Sequence, residues 1–239
     1  MKSSDTKPAE RARESDIITY RRIRSAIGVL GISLPLVLLF LSLLPFFHTS
    51  IQDSISHYYY TNLRELFTGV LCAVGLFLIR YKGTKNPVIW KNDSLLTNIA
   101  GAMAFGIALF PTNPDDCSQK IYSLIPDCSK VLGMIHYLFA AIFFIVLAIV
   151  SINVFTIGQM ENKNIPVSMF NENKIYRICG YLMLCFIVLI PVFAALKVSY
   201  TTLIFEALAL FAFGISWLIK GRALGDTGII GEKIYREEN

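Results

Sequence analysis

Six long apolar stretches constrain this chain more than anything else in it. They run from Ser25 to Phe47, Leu63 to Arg80, Leu95 to Phe110, Val131 to Phe155, Ile178 to Leu196 and Thr202 to Ile219. A bilayer core of about 30 Å is crossed by roughly 20 mainly apolar residues in helical form, since no water is present to satisfy an open backbone amide. The spacing therefore predicts an all-α fold: a polytopic membrane protein with six transmembrane helices in one bundle. With 54% hydrophobic and 16% charged residues and a mean hydropathy of +0.56, the chain is too apolar for an ordinary soluble domain. Pro35, Pro45 and Pro191 fall inside the stretches and predict kinks, because neighbouring helices re-satisfy the freed carbonyls.

The charges sort by side. Eighteen Lys and Arg residues lie in the N-terminal tail, the second and fourth connections and the C-terminal tail, against four (Arg64, Lys120, Lys130, Lys197) in the remaining connections. The positive-inside rule places both termini in the cytoplasm, so the net charge of +5 reflects topology and is not a nucleic-acid-binding patch. Three segments follow: a basic cytoplasmic tail over 1–24, the six-helix domain over 25–219 and a cytoplasmic tail over 220–239. The polar stretch Met1 to Asp16 reads as disordered, with Ile17 to Arg24 forming an interfacial helix. The first apolar stretch is too long for a signal-peptide h-region and ends without a small-residue cleavage site, so it stays as an anchor.

Of five cysteines, Cys72, Cys179 and Cys185 fall within apolar stretches and act as small hydrophobes. Cys117 and Cys128 share the outer connection after the third stretch, where an oxidising compartment favours a disulfide; two free thiols are the alternative.

An ionisable group at mid-membrane costs about 2.5 to 3.5 kcal/mol or more and needs a partner or a wet cavity. Most such groups here cluster toward the outer face. The first outer loop holds Asp53, Ser54, Ser56, His57 and Tyr58 to Tyr60, and leads into Arg64 and Glu65. His136 lies just below the outer end of the fourth stretch and Glu206 about one turn into the sixth. These depths match to within roughly 10 Å at 1.5 Å per residue. Facing inward, the groups form a pocket open to the outer leaflet, with Asp53, Ser56, Tyr60, Arg64 and Glu65 as ligand contacts.

Two imidazoles and a carboxylate (His57, His136, Glu206) are also the ligand types of a catalytic zinc site, or of a metal-free general base. Alternatively, Glu206 and His136 or Arg64 satisfy one another inside the bundle, and Tyr58, Tyr59 and Tyr60 form an interfacial aromatic belt. On the inner half, Ser94, Thr97, Asn98, Ser151 and Asn153 read as interhelical hydrogen-bond groups. Gly69, Ala73 and Gly75, with Gly101, Ala102, Ala104 and Gly106, read as close-packing faces. No nucleotide-binding, zinc-protease or nucleophile-elbow motif is present.

The runs Ser54-Ile55-Ser56-His57-Tyr58-Tyr59-Tyr60-Thr61, Arg64-Glu65-Leu66-Phe67-Thr68-Gly69, Tyr81-Lys82-Gly83, Asn98-Ile99-Ala100-Gly101, Ile135-His136-Tyr137 and Phe213-Gly214-Ile215-Ser216-Trp217-Leu218 resemble a group of uncharacterised bacterial six-helix membrane proteins. More distantly, Ser-Ile-Ser in the first outer loop and a His opening the fourth helix are similar to the superfamily of damage-regulated autophagy modulators and GPI-anchor lipid-remodelling Golgi proteins. The resemblance implies a lipid-facing role in a bacterial inner membrane, with an outer-leaflet site near Ser56, His57, Arg64 and His136. Ceramidase-like membrane hydrolases differ, having seven helices and a His-x-x-x-His pair that this chain lacks.

The expected function is binding of a lipid or amphiphile head group, with Arg64 on an anionic group, His57 and His136 as hydrogen-bonding or proton-transfer groups, and Glu206 orienting one of them. Alternatives are a lipid hydrolase or transferase, with zinc as a possible cofactor, a small transporter, or an assembly partner held by its spans. Membrane lipids are the expected partners, and oligomeric state is not legible.

Overall fold

The computed structural model of the protein describes residues 6–81, 83, 85–113, 123–125, 129–157 and 172–223, residues 6–17 as backbone only. The described residues hold six α-helices, short 3₁₀ turns and no strands. The helices are α1 (Thr6–Ser42), α2 (Arg64–Arg80), α3 (Asp93–Leu109), α4 (Lys130–Ile149), α5 (Glu172–Ala195) and α6 (Thr201–Lys220). Four are long and apolar enough to cross a membrane: α1 over Ile18–Ser42, α4 with its extension to Val154, α5 and α6. At 17 residues each, α2 and α3 reach about 26 Å at 1.5 Å per residue, just short of an average bilayer core.

Several boundaries depart from the sequence reading. Helix α1 begins at Thr6 and runs unbroken through Arg24 into its apolar half, where the sequence suggested a disordered tail. It stops at Ser42, and Pro45 opens a separate 3₁₀ turn (Pro45–Phe47) instead of kinking a longer helix. The reason is local: proline disfavours helical backbone at the residue before it, and Leu44 is extended at φ −90°, ψ 121°. Pro35 and Pro191 are carried inside α1 and α5. Helix α4 continues into one π-helical turn, Val150–Val154, in which the Phe155 amide reaches back five residues to the Val150 carbonyl at 2.9 Å. That turn aims the Ser151 hydroxyl at the Tyr176 carbonyl of α5, 2.9 Å away.

Each helix packs on the one before and the one after, and α6 returns to α1, which closes the bundle into a ring. Two crossings depend on glycine. A Cβ on Gly28 would lie 2.8 Å from the Gly214 carbonyl and one on Gly214 would lie 2.7 Å from the Gly28 carbonyl, so α1 and α6 touch backbone to backbone. Gly75 and Gly101 join α2 and α3 in the same way, as their positions suggested, whereas Gly69 meets nothing within 4 Å and packs no helix. Leu38, Leu78, Ala100, Leu147 and Met183 fill the interior. Polar groups gather at the two ends, here called the His136 end and the Arg24 end.

Candidate functional site

At the His136 end the loop after α1 folds down onto the bundle. The first turn of α6 has amides with no intrahelical acceptor. One of them, Leu203 N–H, donates to the Asp53 carbonyl at 2.8 Å. The Glu206 carboxylate then accepts from the Ile55 amide and, at 3.4 Å, from the Ser54 hydroxyl. Glu206 is thus the group that docks the loop, and Ser56 is carried inward to 7% exposure.

His136, fully buried on α4, closes the arrangement. Its Nδ1 lies 2.7 Å from the Phe110 carbonyl and its Nε2 lies 3.0 Å from Ser56 Oγ. A carbonyl can only accept, so Nδ1 carries the proton, and in the neutral ring Nε2 accepts from the Ser56 hydroxyl. The extended stretch after α3 is held on both sides: the Thr112 carbonyl accepts from the Tyr60 hydroxyl, the Thr112 hydroxyl donates to Tyr137 Oη at 2.9 Å, and His57 Nε2 donates to the Asn113 carbonyl at 3.2 Å. That bond leaves His57 Nδ1 as a buried lone pair without a partner among the described residues.

The expected site residues therefore divide. Ser56, His57, Tyr60 and His136 meet in one hydrogen-bonded unit, with Asp53 contributing its carbonyl. Glu206 pairs with neither His136 nor Arg64; it holds backbone. Arg64 lies over the Tyr59 ring at 5.8 Å and 3.4 Å from Glu65, whose side chain is 77% exposed. No three His, Cys, Asp or Glu side chains among the described residues come together as a metal set. A serine hydroxyl on an oriented imidazole is the arrangement of a nucleophile and its base, but both residues are buried among the described residues, so here the pair acts as a strut. Cys117 and Cys128 lie outside the described residues; among the described ones Cys72, Cys179 and Cys185 are free thiols.

Beside this unit a cavity of about 580 Å³ opens between three helices. Helix α4 contributes Tyr137, Ala140, Ala141 and Phe144; α5 contributes Ile187, Ile190, Pro191 and Ala194; α6 contributes Thr202 and Glu206. The walls are apolar, and the polar groups stand toward the end where α6 begins. Pro191, inside α5, has no amide proton to give the Ile187 carbonyl, so the usual bond to the residue four back is missing there. Glu206, half-buried, is the sole charged residue in the lining among the described residues.

The Arg24 end holds a second polar unit that the sequence did not disclose. Arg24 donates through Nε (3.1 Å) and a terminal nitrogen (2.6 Å) to the Tyr81 hydroxyl, which donates to the Asp93 carboxylate at 2.8 Å. Lys220 donates to the Phe155 carbonyl at 2.9 Å and lies over the Phe155 and Tyr176 rings. Trp217, fully buried, packs edge-on against Tyr81, Phe155 and Phe213. Burial first, then the adjacent Asp93 charge, pushes the Tyr81 phenol above its usual range. Burial also raises the Asp93 carboxyl, against the opposing pull of Tyr81, Arg24 and Lys220. One Asp93 oxygen and the Trp217 indole N–H are buried without partners among the described residues. Gly83 belongs to this unit too, since any Cβ there would strike the Asp93 carboxylate at 2.4 Å.

An all-helical bundle with spans of membrane-crossing length and buried polar clasps at both ends defines a membrane-embedded helical protein. Within that class, the chain belongs to the family described as protein of unknown function (DUF998), whose model matches residues 52–219. The match begins at the docked loop and takes in Ser56, His136, Glu206, Tyr81, Asp93 and Trp217; Arg24 and Lys220 fall outside it. No curated protein matches the chain, and no solved structure does. The likeness to uncharacterised membrane proteins is thereby supported; the more distant likeness to autophagy modulators and GPI-anchor remodelling proteins draws no support from these comparisons.

Proposed function

We propose that this protein is a six-span protein of a bacterial inner membrane, with both termini in the cytoplasm, that takes an amphiphile from the membrane into the cavity between α4, α5 and α6. The carrying observation is the cavity itself: about 580 Å³, the size of a small-molecule site, with apolar walls for a chain and hydroxyl and carboxylate groups at one end for a head group. In a membrane the cavity's rim, where Tyr137 is 50% exposed, faces lipid. The orientation is supported by the charges at the Arg24 end, where Arg21, Arg22 and Arg222 border a second hollow of about 380 Å³. Arg64, expected to hold an anionic group, does not line the α4/α5/α6 cavity, so the binding role moves to Tyr137, Thr202 and Glu206. A metal-dependent hydrolase has less support, because His57, His136 and Glu206 do not come together as a ligand set among the described residues.

Lipids carrying a photoactivatable group on the acyl chain test this reading. Irradiated in membranes, they are expected to label Ala140, Ala141, Ile190 and Ala194 above other lipid-facing positions. The labelling should be lost in Ala141→Phe, which fills the cavity while keeping the parent's melting midpoint. Uniform labelling around the bundle, or full labelling of Ala141→Phe, would discard the proposal.

A further inference from the structure

The cavity also carries information about the sign of its occupant's head group, an inference that rests on the amphiphile-binding reading above. No Lys, Arg or His is among its lining residues; the charged member is Glu206, accompanied by the hydroxyls of Tyr137 and Thr202. Glu206 receives the Ile55 amide and the Ser54 hydroxyl from one side, while each carboxylate oxygen has two lone pairs. Accepting capacity is therefore left on the side that borders the cavity. Among the described residues the site offers a carboxylate and two hydroxyls and no fixed positive charge.

From this we infer that the cavity selects an amphiphile with an ammonium head group, its N–H groups or cationic charge directed at Glu206 and its alkyl chain between Ala141, Phe144 and Ile190. An anionic head group would meet the carboxylate with no cation to offset it, in a setting where unpaired like charge is expensive. A neutral hydroxyl head group would bind through hydrogen bonds alone. Charge complementarity thus ranks the three chemistries, with the amine first and the carboxylate last.

The experiment is competition against the photoactivatable lipid, using the full chain in maltoside detergent with dodecylamine, dodecanol and dodecanoate as probes. Dodecylamine is expected to displace the label at a concentration about tenfold below dodecanol, the size of one charge-assisted hydrogen bond, with dodecanoate weakest. In Glu206→Gln, which keeps an acceptor for the Ile55 amide, dodecylamine should fall to the level of dodecanol, each read against that variant's own uncompeted labelling. Equal competition by amine and carboxylate in the parent, or an amine preference that survives Glu206→Gln, would overturn the head-group assignment while leaving the cavity's occupancy intact. Labelling that no dodecyl compound displaces would remove both, since the cavity would then not be where the chain binds. Should Glu206→Gln fail to fold, Thr202→Val with Tyr137→Phe provides the second arm. That variant removes the hydroxyls and is expected to weaken dodecanol more than dodecylamine; the reverse order would also overturn the assignment.

Discussion

The buried polar groups at the two ends of the bundle differ in kind. At the His136 end they are mostly neutral: Ser56, His136, Tyr60 and Thr112 pair with one another and with backbone carbonyls, and the carboxylate of Glu206 docks the loop backbone while bordering the cavity. At the Arg24 end the groups are charged, and Arg24, Tyr81, Asp93 and Lys220 converge from separate elements around one aromatic cluster. A neutral hydrogen bond contributes about 1 kcal/mol net, whereas removing one partner of a buried charged pair costs about 3 to 5 kcal/mol. The first end is thus a local latch for one loop. The second is a joint on which the whole ring depends.

The largest expected effect tests that joint. Asp93→Ala leaves the Tyr81 hydroxyl without its acceptor and the Arg24 and Lys220 charges without the carboxylate between them, and is expected to lower stability by about 3 to 5 kcal/mol, read from denaturation of the purified protein in detergent. A loss no larger than that of an exposed substitution would erase the distinction between the ends. Next, His136→Ala removes two hydrogen bonds and some packing, at about 3 kcal/mol, and Ser56→Ala removes one, at about 1 kcal/mol. The double variant Ser56→Ala/His136→Ala should cost less than the sum, because the two share a bond, whereas Asp93→Ala/His136→Ala should be additive within about 0.5 kcal/mol. Strong coupling between the last two would mean that the ends act as one network.

The smallest effect is a pH slope. Burial raises the folded-state Asp93 carboxyl above its ordinary value of about 3.9, so the folded chain holds this proton more tightly than the unfolded one. The associated stabilisation is fully present below the ordinary value and is lost as pH rises through the folded one. The melting midpoint of the parent is expected to fall across that interval, and Asp93→Asn should flatten the fall. A slope that persists in Asp93→Asn would place the titrating group elsewhere.

The contrast also explains what could be read from the sequence. Helices were legible because hydrophobic runs of this length have one solution in lipid, and their ends were less so: a local rule stops the helix short of Pro45, and the polar start of α1 at Thr6 carries no apolar run to announce it. The His136 end was half legible, since rarity in an apolar stretch marked His136 and Glu206 but could not say that a carboxylate would bind an amide and an imidazole a serine. Pairing is a property of register between helices, which no single helix encodes. The Arg24 end was hidden for a different reason: Asp93 and Lys220 sit at helix termini and Arg24 just ahead of the first apolar stretch, places where charges ordinarily face water. Tyr81 and Trp217 were the available signal, two large amphipathic rings at one level beside those charges.

The π-helical turn at Val150–Val154 gives the bundle an unusual dependence on counting. It winds one extra residue into a single turn, so everything beyond it is rotated relative to an ordinary helix, and the Phe155 carbonyl comes to face Lys220. Removing any one of those residues would restore α-geometry and swing the following positions by about 100°, carrying Phe155 away from its cation and its aromatic neighbours. Exchanges among similarly sized apolar side chains in that turn would leave its hydrogen bonds in place. At this point the chain is sensitive to insertion and deletion more than to spelling.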